Sequence, residues 1–255
     1  MSGSPPPRVR GVVLDKDGTL FDFQATWGAW ARELIAAESE GDGALAARLA
    51  DALGYDLAGG RFRPDSIVIA SSTETVAERL LPLLPGTGKE ALLARMNARA
   101  TEAPQVEAAP LREVLEGLRG AGLRLGVATN DAEAPARAHL AGVLHLLDFV
   151  AGYDSGHGAK PGPGQLLAFA DAVGLEPGSC AMVGDSLHDV AAARAAGMAA
   201  VGVLTGPAGR ETLEPAADVV LRSIAELPGW VAGRQGGPSA TAGVAIPSSG
   251  PPGRR

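Results

Sequence analysis

The sequence predicts an α/β protein, a doubly wound parallel sheet interrupted by an inserted α-helical domain. Three observations predict it. Short apolar or β-branched runs alternate with segments of helical periodicity through the second half of the chain, the rhythm of a parallel sheet covered by helices on both faces. The interval 23–108 breaks that rhythm, with helical patterns and little strand. Near the start, the apolar run Val12-Val13-Leu14 ends in a carboxylate and a glycine turn, as expected of a buried strand that delivers acids to its C-terminal end.

The runs read as strands lie at 9–14, 123–128, 149–152, 180–183, 199–203 and 218–221. Between them, Leu111, Val114, Leu115 and Leu118 form an i, i+3, i+4, i+7 stripe, and 132–140, 164–173 and 189–196 follow the same helical period. The interruption carries four further helical patterns, at 27–38, 44–53, 73–84 and 89–101. The expected division is therefore a core of 9–22 and 109–232 and an insert of 23–108, joined by hinges near 22–24 and 108–110. An insert leaving the chain just after the first strand would sit over the strand ends, where open α/β sheets bind ligands. Residues 1–8 are Ser/Pro-rich and are expected to be loose. From 233 to 255 the chain is Gly, Pro, Ser and Thr with almost no large apolar residue, which predicts a disordered tail.

Composition narrows the function. Hydrophobic residues make up 46% of the 255 residues but aromatic ones only 4%, so the core must rest on Ala, Leu and Val. Acidic residues outnumber basic ones by 29 to 22. That balance argues against a nucleic-acid or membrane-surface binder, which needs a basic face, but leaves room for a local anion site. Cys180, the single cysteine, rules out an intrachain disulfide and sits in an apolar run, where it should be a small buried hydrophobe. No apolar stretch reaches the ~18 residues of a membrane span, and residues 1–10 carry no signal-peptide core. A soluble cytoplasmic protein is expected.

Four motifs fall at the predicted strand ends. Asp15 and Asp17 are two residues apart, so in extended chain they share a side and can face one site. Such a pair suits a hard cation such as Mg²⁺, or a nucleophile beside an acid/base. Thr129 closes the second strand ahead of a helix, as a phosphate contact, an N-cap or both. Lys160-Pro161 lies in a glycine-rich loop, where a lysine can meet both a carboxylate and a phosphate. Asp185 follows the fourth strand and Asp189 lies four residues on, either completing an acidic cluster or capping a helix. Other signals carry less. Gly86-Thr87-Gly88-Lys89-Glu90 resembles a P-loop end but has Leu83 and Glu90 where Gly and Ser/Thr belong. His139, His145, His157 and His188 lack metal-ligand spacing, and His188 is expected to face outward. Trp27 and Trp30 share a helix face, in the insert's core or its cleft. Arg61 or Arg63 is either a substrate-carboxylate contact or a solvated loop residue.

In this order, D-x-D-G-T at 15–19, Thr-Asn at 129–130, Lys-Pro at 160–161 and G-D-S-x-x-D at 184–189 resemble the haloacid dehalogenase superfamily of phosphohydrolases. The resemblance covers about 9–22 and 109–225. It implies a Rossmann-like core with a helical C1 cap, most similar to phosphoglycolate-phosphatase-type members. It implies that Asp15 is the nucleophile, Asp17 the acid/base, and Lys160 the neutralising cation. Thr129, with Asn130, Gly18 and Thr19, would bind the phosphoryl group. Asp15, the Asp17 backbone carbonyl and Asp185 would ligate Mg²⁺, with Asp189 as a water-bridged or outer partner. The dehalogenases and phosphonatases of this superfamily lack an acid at the position of Asp17. Lys16 departs from the usual apolar residue there, and its side chain is expected to point opposite to Asp15 and Asp17. The expected partner is a small phosphorylated metabolite, with no nucleic acid or membrane, and the sequence leaves the oligomeric state open. A phosphosugar mutase and a non-enzymatic binding protein on the same scaffold are the alternatives.

Overall fold

The structure, a computed structural model, describes residues 8–63, 65–69 and 71–235. Of the loose ends expected at 1–8 and 233–255, residues 1–7 and 236–255 lie outside the described residues. Six parallel strands form the main sheet: β1 (Gly11–Leu14), β4 (Arg124–Ala128), β5 (Phe149–Ala151), β6 (Cys180–Gly184), β7 (Ala199–Val203) and β8 (Val219–Leu221). The numbers β2 and β3 belong to a hairpin of the insert, Tyr55–Asp56 with Arg61–Phe62. The spatial order is β5-β4-β1-β6-β7-β8. The chain thus builds outward from β1 first to one side, then to the other, and reverses between β1 and β6. That reversal is a topological switch point, where doubly wound sheets open a crevice at the strands' carboxyl ends.

β1 is buried on both faces, which explains its unbroken apolar run. Val12 and Leu14 pack on one face with Leu115 and Leu118 of α5 (Leu111–Gly120), Ala136 of α6 (Glu133–His139) and Val231 of α10 (Leu227–Gln235). Val13, pointing the other way, meets Phe169 of α7 (Gly164–Ala172), Val190 of α8 (Leu187–Ala196) and Leu213 of α9 (Arg210–Leu213). Cys180 is buried in this second layer, as its sequence context predicted.

Residues of the insert gather in a separate apolar cluster. It joins Trp30 and Leu34 of α1 (Phe23–Ser39), Leu53 of α2 (Gly43–Leu53), Leu80 of α3 (Thr73–Leu80) and Met96 of α4 (Lys89–Glu102). Asp22 caps α1, its Oδ1 accepting from the Ala25 N–H at 2.8 Å. The two chain crossings lie side by side: Asp22 N–H donates to Val106 O at 2.8 Å and Ala108 N–H to Leu20 O at 2.9 Å.

Three expectations need correction. The insert contains the β2–β3 hairpin as well as helices. The helix expected over 73–84 ends at Leu80 and passes into a 3₁₀ turn at Leu81–Leu83, because the Pro82 ring disfavours continued α geometry before it. Residues 233–235, expected in the tail, instead close α10, which runs to Gln235. No described helix is long and apolar enough to cross a membrane.

Candidate active site

The register of the central strands brings the motif residues together. Leu14 pairs with Val127 of β4 and Val183 of β6, so Asp15 leaves β1 beside the ends of both neighbours. Its own N–H donates to Val183 O at 2.8 Å. Thr129 follows β4 and Asp185 follows β6. The turn after Asp17 needs Gly18: its φ is +80°, and a Cβ there would run into the Asp185 carboxylate.

Asp15, Asp185 and Asp189 are buried, and their carboxylate oxygens lie within 4.8 Å of one another. Lys160 Nζ donates to Asp15 Oδ1 and to Asp189 Oδ1, both at 2.6 Å. Asp189 Oδ2 accepts from Ser186 N–H (3.0 Å) and Oγ (2.6 Å) in a capping box at the start of α8, so one residue both fixes a helix end and holds Lys160. Burial pushes the Asp15 carboxyl up to about 7, with Lys160 pulling it down and Asp189 adding to the rise. Burial, then Asp15 and Asp189, holds Asp185 well above the usual carboxylate range. Burial alone would lower the Lys160 ammonium, but Asp15 and Asp189 raise it overall. One ammonium thus faces three buried carboxylates, and the oxygen-only donor set fits a hard divalent cation such as Mg²⁺.

Lys16 departs from expectation. Its side chain is fully buried, yet Nζ reaches Asp17 Oδ1 at 2.8 Å, Asp131 Oδ2 at 3.5 Å and His139 Nδ1 at 3.1 Å. It also lies 5.4 Å from the centre of the Trp27 ring. An ammonium can only donate, so His139 accepts at Nδ1 and donates through Nε2–H to Ala100 O of α4, at 2.6 Å. Burial and the Lys16 ammonium push His139 down to about 4, which keeps the ring neutral. Burial pushes Asp131 up to about 6 against the pull of Lys16. The carboxylate of Asp17 is therefore turned toward Lys16 and stands outside the three-acid cluster. Lys16→Met would leave buried Asp131 without its cation. It is expected to lower unfolding stability by about 3 kcal/mol, with part recovered in Lys16→Met/Asp131→Asn, as read by urea denaturation. An unchanged midpoint in Lys16→Met would contradict this.

A cleft opens between core and insert. Asp15, Asp17, Thr129, Asn130, Lys160 and Asp189 line its floor. Thr129 Oγ1 accepts from Asp131 N–H at 3.1 Å, and the helix after it starts only at Glu133. Asn130 grips the backbone of Lys160, accepting its N–H at 2.8 Å and donating to its carbonyl at 3.0 Å. Gly18 and Thr19 do not line the cleft: Gly18 packs against Asp185, and Thr19 is fully buried. His188 lines the cleft instead of facing outward, and Trp27 and Trp30 both line it and pack the insert. Arg61 is exposed, and Arg63 pairs with Asp51 at 3.1 Å, so both lie away from the cleft. Lys89, of the discounted P-loop-like stretch, pairs with Glu74 and Glu78 on the insert's surface. Asp131 and His139 are the groups that sequence reasoning missed. Asp131 was legible as an acid two residues after Thr129, whereas nothing local marked His139.

Residues 9–197 match the haloacid dehalogenase-like hydrolase family, and the chain belongs to it. Among individual relatives, a phosphoglycolate phosphatase of Rhodospirillum rubrum is 40% identical over 121 residues, 46% of this chain and 50% of that protein. The chain thus spans about half the length of that relative. A fructose-1-phosphate phosphatase of Escherichia coli is 29% identical over 201 residues, 77% of this chain and 97% of that one. The crystal structure of a haloacid dehalogenase-family phosphatase from Thermococcus onnurineus superposes with a TM-score of 0.62 at 26% identity, over 88% of this chain and 99% of that one.

Proposed function

We propose that the chain is a Mg²⁺-dependent phosphatase that hydrolyses small phosphate monoesters through an aspartyl-phosphate on Asp15. The observation that carries this reading is Asp15 itself. It is a buried carboxylate at a topological switch point, held by Lys160 at 2.6 Å and grouped with Asp185 and Asp189. The Lys160 ammonium offsets repulsion between this carboxylate and an incoming phosphate. An oxygen of Asp15 attacks phosphorus while the ester oxygen departs, taking a proton from Asp17. Asp17 then accepts a proton from the water that attacks the aspartyl-phosphate, and inorganic phosphate and free Asp15 result. Thr129, which lines the cleft, and the backbone beside it would hold the phosphoryl oxygens, and Asn130, which hydrogen-bonds the Lys160 backbone, would keep that lysine in position. A Mg²⁺ ion held by Asp15 and Asp185, with the Asp17 carbonyl and Asp189 around it, would supply further positive charge at the reacting phosphate.

Relatives named for phosphoglycolate and for fructose 1-phosphate share this core. Phosphoglycolate is the substrate that the resemblance suggested, but a core shared by enzymes for different esters leaves the choice of substrate to the insert. A cytoplasmic setting belongs to the same reading. Purified protein assayed with Mg²⁺ against a panel of phosphate esters is expected to release inorganic phosphate. With a hexose 1-phosphate, a 6-phosphate sugar in place of free phosphate would favour the mutase. No turnover of any ester would favour the binding protein.

A further inference from the structure

We infer that the alcohol half of the preferred substrate is apolar and uncharged, an aromatic or branched alkyl group, and neither a carboxylate nor a polyol. This rests on the phosphatase reading above and concerns the insert's side of the cleft. The wall there is Phe23, Trp27, Trp30, Val68, Ile69, Val76 and Met96, with only Ser71 and Thr73 offering hydroxyls. None of the described arginines of the insert, nor Lys89, lines it. Arg95 is held by Glu38 at 2.7 Å and Arg63 by Asp51, both away from the cleft. Among the described lining residues Lys160 is the one lysine or arginine, and its ammonium is already shared between Asp15 and Asp189.

Four lining carboxyl groups, Asp15, Asp17, Asp131 and Asp189, lie on the core side of the cleft, where His188 is the one other titratable side chain besides Lys160 among the described lining residues. A second anionic group on the substrate would leave water for a wall without cations and a floor of carboxylates, which is strongly unfavourable. On the insert's wall a polyol would lose hydrogen bonds to water that the two hydroxyls of Ser71 and Thr73 cannot replace, the other polar lining groups lying on the core side. The Trp30 indole N–H is already spent on Met96 O at 3.2 Å, so that ring offers the cleft apolar surface alone. Trp27 stands edge-on to it, with ring centres 5.3 Å apart at 82°. Val68 and Ile69 are only half-buried, leaving apolar surface at the cleft that an apolar guest would cover.

The test compares kcat/KM for benzyl phosphate and isopentyl phosphate with that for 2-phosphoglycolate and fructose 1-phosphate, all esters of primary alcohols. Leaving groups of one type make the differences report mainly on the cleft wall. Benzyl phosphate is expected to lead 2-phosphoglycolate by roughly 10²-fold or more, as expected when one of two ligands must bury an unpaired charge. In Ile69→Arg the gap should narrow by at least about 10-fold, because a guanidinium at the wall can pair with the carboxylate. If 2-phosphoglycolate or fructose 1-phosphate were the better substrate of the wild-type enzyme, the inference would be overturned while the phosphatase reading stood. If no ester were turned over, both would fall.

Discussion

Asp15→Asn is expected to lower kcat/KM for every phosphate ester by on the order of 10⁴-fold or more, because the proposed covalent intermediate forms on the Asp15 carboxylate. The fold should survive. Burial already disfavours a charge at this position, and Lys160 keeps its second partner, Asp189, at 2.6 Å. A neutral amide of similar shape therefore removes the reaction without leaving Lys160 unpaired. Circular dichroism and thermal melting should match the wild-type protein while phosphate release falls to background. Retained turnover in Asp15→Asn would place the nucleophile elsewhere.

Stripping divalent cations is expected to have the next largest effect, lowering activity roughly 10²-fold or more, with full recovery on adding Mg²⁺. The same site ties stability to pH. Asp15 is raised from an ordinary 3.8 to about 7, and Asp185 lies well above 3.8. In the metal-free protein the folded state therefore holds protons that the unfolded chain would release. That contribution to stability is fully present below about pH 4 and is lost as pH rises through about 7. Metal-free protein is thus expected to melt lower at pH 8 than at pH 6. Added Mg²⁺ should raise Tm more at pH 8, because carboxylate ligands must be deprotonated to bind it. A larger Mg²⁺ shift at pH 6 would show that these carboxyls do not take the ion.

The sheet was legible because its signals are local: each strand is a short apolar run, and the acids sit immediately after β1 and β6. The pairing of Lys16 was not. Alternation of side chains holds within a strand, but β1 ends at Leu14 and the chain turns at Gly18 with φ +80°. Past the strand end, neighbouring side chains can converge, as Lys16 and Asp17 do. The β2–β3 hairpin escaped because two-residue strands are too short to show a period. His188 lies in the first turn of α8, where one turn of sequence does not say which way a side chain faces the cleft. The cleft wall was least legible of all. Trp27, Ile69 and Met96 come from three separate elements, and only the packing of the insert brings them to one surface.

The central claim, a covalent phosphoryl-Asp15, is tested most directly by the stereochemical course at phosphorus. A phosphate ester made chiral with oxygen isotopes would be hydrolysed in isotopically labelled water, and the configuration of the inorganic phosphate determined. Transfer first to Asp15 and then to water involves two in-line displacements, so net retention is expected. Net inversion would mean a single direct attack by water and would contradict the account.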